Sequence, residues 1–99
     1  MRVIKELVDR IKEELEDAMN YADSYVECKA AGNMMRANQY REMAHDELKH
    51  AGYIHGWAVA KVEEVQRVYS PPEEMLEKWK AAHRRYTDDV ARVKIMLEA

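Results

Sequence analysis

The sequence predicts an all-α fold, and two observations carry that expectation. Ala, Glu, Met, Leu, Lys and Arg dominate the composition, and these are the strong helix formers. Apolar residues recur every three or four positions along three long segments, the spacing of one helical face. Three Gly and two Pro leave little material for turns or sheets, and β-branched residues are scattered.

Two breaks divide the chain. Gly32 is placed to take the left-handed conformation that ends a helix, and Asn33 can cap the next one. The second break is Ser70-Pro71-Pro72-Glu73. There Ser70 is the expected N-cap, Pro71 the first helical residue, and Glu73 the partner that completes a capping box. The expected helices span about 2–31, 34–69 and 71–97, within one domain covering all 99 residues. At 1.5 Å per residue the second helix is about 50 Å long.

The apolar stripe of the first helix is Ile4, Leu7, Ile11, Glu14, Ala18, Tyr21, Tyr25 and Cys28. The second reads Tyr40, Met43, Ala44, Glu47, Ala51, Ile54, Ala58, Val62 and Val65. The third reads Met75, Trp79, Ala82, Tyr86, Val90, Val93 and Leu97. Carboxylates interrupt the first two stripes and not the third. Inside a core, an ionised and unpaired carboxylate costs several kcal/mol, so it must be protonated, paired or bound to a cation. His50 follows Glu47 by three residues, about 60° around the helix, so both side chains reach one point. A second Glu-x-x-His, Glu42 and His45, falls about 140° and 200° away and should face water or another chain. Glu14, Glu47 and His50 are therefore the candidate metal ligands, with Asp17 the substitute for Glu14, which lies in the charged run Glu13-Glu14-Leu15-Glu16-Asp17. Carboxylate with imidazole from facing helices suits iron, with manganese or zinc possible.

Other residues have plainer expectations. Tyr21, Tyr25 and Tyr40 suit the core edge, and Trp57 and Trp79 suit core or interface anchors. The seven Met suit gap-filling and interfaces. His83 flanks the third stripe and is expected to be structural rather than a further ligand, while His45 and His55 are expected to face solvent. Gly52-x-x-x-Gly56 implies close approach of another helix, since each Gly costs ~1 kcal/mol against Ala in a helix.

Composition also excludes functions. A net charge of −3 with no basic cluster beyond Arg84-Arg85 argues against nucleic acid. The absence of a long apolar run argues against a leader or membrane span. A lone Cys28 cannot form an intrachain disulfide and fits a reducing, cytoplasmic setting.

Around these residues the sequence resembles the bacterioferritin and rubrerythrin branch of the ferritin-like superfamily. The segment Asp46-Glu47-Leu48-Lys49-His50-Ala51 is similar to the bacterioferritin second-helix motif. Glu14 with Tyr21 seven residues later resembles the first-helix pattern, and the 33-residue separation of Glu14 from Glu47 matches the hairpin spacing. The resemblance covers about residues 7–60. It implies a di-iron carboxylate site in which Glu14, Glu47 and His50 are ligands, Tyr21 hydrogen-bonds near them, and Asp46 orients a histidine. It also implies oxidation of Fe(II) by O2 or peroxide.

Two departures stand out. The third helix carries no second Glu and Glu-x-x-His set on its stripe, and there is no Cys-x-x-Cys for a rubredoxin-type iron centre. A two-fold axis relating two copies of the first hairpin would restore the set, so a dimer or higher even-numbered homo-oligomer is expected to complete the four-helix bundle. Encapsulated ferritins resemble this arrangement in building their site between subunits. The alternatives are a metal-free helical interaction or assembly module on the same scaffold, and an iron-carrying subunit acting inside a larger shell.

Overall fold

A computed structural model describes residues 2–99. These form three helices: α1 (Arg2–Ala30), α2 (Met34–Val68) and α3 (Glu73–Glu98). No strand occurs among the described residues, and none of their helices is long and apolar enough to cross a membrane. The helices lie side by side in a rod of 55 × 17 × 17 Å.

The first turn follows from its residues. Gly32 takes φ +79°, a conformation that disfavours any side chain with a Cβ. Its N–H donates to the Lys29 carbonyl, and the Asn33 N–H donates back to Cys28. This pair closes the C-terminus of α1 as a Schellman motif. The Asn33 side chain then accepts from the Arg36 N–H at 3.2 Å and caps α2.

The second turn departs from expectation. Helix α3 starts at Glu73 with Pro72 as its cap residue, and no side-chain cap bond forms. The Ser70 capping box is not built. A residue preceding proline is driven out of helical conformation, so Pro72 prevents Pro71 from opening the helix. Glu73 and Glu74 in the first turn complement the helix dipole instead.

Helices α1 and α2 pack antiparallel along their length on a seam of small side chains. Ala18, Ala22, Ala37, Ala44, Ala51 and Ala58 have no accessible surface. Ile11, Leu15, Leu48 and Ile54 fill the spaces between them. Helix α3 lies parallel to α1 and packs mainly on it, touching α2 less. Near the free end of the hairpin a smaller core joins Ile4, Val62 and Val65 to Val8, Met75 and Trp79.

The apolar stripes are only partly buried. On α3, Val93 and Leu97 are buried, whereas Met75, Trp79, Ala82, Tyr86 and Val90 are half-buried. On α2, Met43 is exposed rather than in the core, because it lies at the edge of the stripe. Trp57 is 56% exposed and is not a core anchor of this chain. Within the Gly pair, a Cβ on Gly52 would meet the Tyr86 hydroxyl at 3.6 Å, an ordinary contact, and one on Gly56 would meet nothing. The motif marks no tight helix crossing inside the chain.

The alanine seam sets a specific sensitivity. Ala18→Leu is expected to destabilise the protein by about 1–3 kcal/mol, because added methylenes have nowhere to go. Ala60→Leu, at an exposed position of α2, is expected to stay within about 0.5 kcal/mol. Urea denaturation of both variants measures the contrast, and equal effects would contradict the close packing.

Candidate metal centre

The α1–α2 register brings the interrupting carboxylates together. Glu14 and Glu47 face each other across the seam, and His50 stands one turn along α2. One ligand atom from each of the three lies within 4.8 Å of the other two. His50 Nδ1 is 3.8 Å from Glu14 Oε2 and 3.8 Å from Glu47 Oε2, so the imidazole bridges both carboxyl groups at ion-pair range. The two carboxyl side chains are 24% and 19% exposed and the imidazole 52%, so the cluster is a recess open on one side.

That opening has a direction. On α1, Leu15, Glu16 and Met19 line a cleft with Arg85, Asp89 and Arg92 of α3. Successive helical residues are about 100° apart, which places Glu14 on the flank of the stripe opposite Met19. On α2, Gly52 and His55 meet α3 through Tyr86 and His83. His50 lies about 200° around the helix from Gly52. The three ligands therefore open away from α3, on the uncovered side of the hairpin.

Electrostatics follow from the crowding. The Glu47 carboxyl is pushed up to about 7 from the ordinary 4.5. The leading cause is its hydrogen bond with Glu14, followed by burial and the Glu14 charge; His50 opposes the rise and Asp17 adds to it. Two carboxyl groups in contact hold one proton between them, since both cannot be charged cheaply. A divalent cation could replace that proton.

The remaining candidates sit further out. Tyr21 is half-buried and stacks on Tyr40 at 6.3 Å, one heptad nearer the loop on both helices. Among the described residues no hydrogen bond links Tyr21 to the three ligands. Asp46 is exposed, with no bond to His50 among the described residues. Glu42 and His45 are exposed, as their helical positions require.

His55 departs from the solvent-facing position expected of it: it is half-buried and stacks on Tyr86 at 4.0 Å between ring centres, 9° from parallel. Its Nε2 shares a 2.8 Å hydrogen bond with His83 Nδ1. A count across the turn, whose midpoint lies between Ser70 and Pro71, sets His55 opposite Tyr86, one helical turn from His83, but only once the bounds of both helices are known.

No family model matches this chain, and no curated protein or solved structure is similar to it at a significant level. The chemistry of the centre rests on its own geometry.

The shared proton gives a signed expectation. Folding raises the Glu47 pKa above its unfolded value, so the stability it contributes is full below about pH 4.5 and lost as pH rises through about 7. Glu47→Gln keeps a donor for Glu14 and stays neutral at all pH values, so it removes a charge only where Glu47 would ionise, above about pH 7. In chelator, the variant's melting temperature should exceed wild type by a margin that grows from about pH 5 to about pH 8. A flat or inverted margin would show that the two carboxyl groups do not share a proton.

Proposed function

We propose that this is a non-haem di-metal protein of the ferritin-like type, binding iron at a site completed by a second copy of the chain. The observation that carries it is the convergence of Glu14, Glu47 and His50 on the hairpin face that α3 leaves uncovered. The donor set fits: two carboxylates and an imidazole are the ligands that iron and manganese take, with zinc also served. One chain offers three donors, fewer than iron ordinarily takes. A second hairpin related by a two-fold axis would bring the total to four carboxylates and two imidazoles, the set of ferritin-like bundles.

The surface around the site supports the same partner. Val3 and Trp57 are exposed large apolar residues on the open flank of the hairpin, and Met43 is exposed beside Glu47. An exposed Trp is the kind of anchor that contributes strongly when buried by a partner. Facing hairpins would cover these residues and close the recess, leaving α3 on the outside of the bundle.

When bound, iron would supply the redox chemistry of Fe(II) oxidation by O2 or peroxide. Glu14 and Glu47 would give up their shared proton and hold the cations by charge. His50, through its neutral imidazole, would add a nitrogen donor. The dimer interface would exclude bulk water, strengthening these contacts.

A metal-free helical scaffold has one observation in its favour: Glu14 and Glu47 satisfy each other through the shared proton. Metal-dependent stability separates the readings. Fe(II) or Mn(II) should raise the melting temperature of wild type by mass action. His50→Ala and Glu47→Gln should abolish that rise, while Glu42→Gln and His45→Ala, at exposed positions, should keep it. Light scattering should give a dimer or higher even-numbered oligomer. A monomer whose melting does not respond to metal leaves the metal-free scaffold as the better account.

A further inference from the structure

The α2–α3 junction holds a second cluster of metal-binding chemistry, separate from the carboxylate centre. His55 of α2 and His83 of α3 point ring nitrogens at each other across the helix boundary, 2.8 Å apart. Their rings are 5.0 Å apart and 22° from parallel. His55 is held from behind by Tyr86, and both imidazoles lie beside Trp79 at 5.8 and 5.9 Å. Histidine ligands need such orientation, and here stacking supplies it.

From this geometry we infer that His55 and His83 form a two-imidazole site for a late first-row divalent cation, zinc or copper, which staples α3 to α2. Nitrogen donors without carboxylates favour those metals over iron, manganese or magnesium. The chemistry balances without redox change. In the neutral pair one ring nitrogen carries the proton of the hydrogen bond and the other offers a lone pair. Moving that proton to the far nitrogen of its own ring frees a lone pair on each of the two facing nitrogens, and the cation binds both.

At a tetrahedral angle, metal–nitrogen bonds of about 2.0–2.1 Å set the two nitrogens about 3.3 Å apart, so they part by about 0.5 Å and the rings tilt off the line of their hydrogen bond. His83 is exposed and can make that adjustment, and water can reach the remaining coordination positions from its side. Burial, and then its neighbour His83, lower the His55 pKa from its ordinary value. The adjacent α3 cleft carries Lys80, Arg84 and Asp88. The two cations there oppose an incoming metal and Asp88 favours it. From α1, Lys5 and Asp9 line the cleft on the far side of Trp79, and they pair with each other.

The test uses the full chain carrying Glu47→Gln and His50→Ala, which removes the carboxylate centre. Zn(II) titration by calorimetry should give one equivalent per chain, and zinc should raise the melting temperature. With Cu(II), the electron paramagnetic resonance spectrum should show hyperfine coupling to two nitrogens. Adding His83→Gln should weaken zinc at least about tenfold and reduce the coupling to one nitrogen. Adding His55→Gln should do the same, and His45→Ala should do neither. If His55→Gln misfolds by circular dichroism, His83→Gln decides alone, because His83 is exposed and leaves the core intact. No zinc binding, unchanged binding in His83→Gln, or loss of binding in His45→Ala would overturn the assignment.

Discussion

A seam of alanines governs this molecule. Six of them line the contact between α1 and α2 with no accessible surface, so at those points only a methyl group stands on the seam. Two carboxyl-bearing residues sit at the edge of that seam, directly across from each other. Small side chains bring the helices close, and closeness puts Glu14 and Glu47 in contact. Contact makes two like charges unaffordable, so the pair holds a proton between them. A wider, leucine-rich seam would have left both carboxyl groups in water as ordinary surface charges.

The same seam explains why the third helix is docked as it is. Alanine buries little area, so the hairpin gains modest hydrophobic stabilisation from its own contact. Among the described residues, Val93 and Leu97 of α3 are the largest side chains that are fully buried. Polar contacts tie that end of α3 down: Arg41 Nε donates to the Leu97 carbonyl at 3.0 Å, and Lys29 donates to the Ala99 carbonyl. Toward the middle, Arg85 of α3 reaches Glu16 of α1, an exposed pair that contributes little by itself. The stack of His55 on Tyr86 fixes the helix to α2. Helix α3 covers one side of the hairpin and leaves the carboxylate side open.

Two chemistries are thereby kept apart on one scaffold. The open side of the hairpin presents oxygen donors with one imidazole, and the covered side presents two imidazoles among aromatic rings. The division follows from helix geometry. His50 and His55 are five residues apart on α2, about 140° around the axis, so they cannot share a face. Glu14 and Glu47 repel each other unless a proton or cation intervenes. His55 and His83 attract each other as a neutral donor and acceptor.

By itself the sequence determined the three helices, the Gly32 turn and the identity of the first cluster. These depend on local chemistry: helix propensity, a residue that tolerates positive φ, and a carboxylate where periodicity demands an apolar side chain. The double proline was equally local, although Pro72 rather than Ser70 controls how α3 begins. Tertiary structure decided what depends on distances between helices. The stripe on α3 reads as apolar as that on α1, yet most of that stripe is half-buried, because burial depends on what lies opposite. Trp57 carries the composition of a core residue and faces outward. His55 reads as a polar residue among small ones, and only the α2–α3 register sets it against His83. Periodicity names the face of a helix on which a residue lies, and a partner helix decides whether that face is covered.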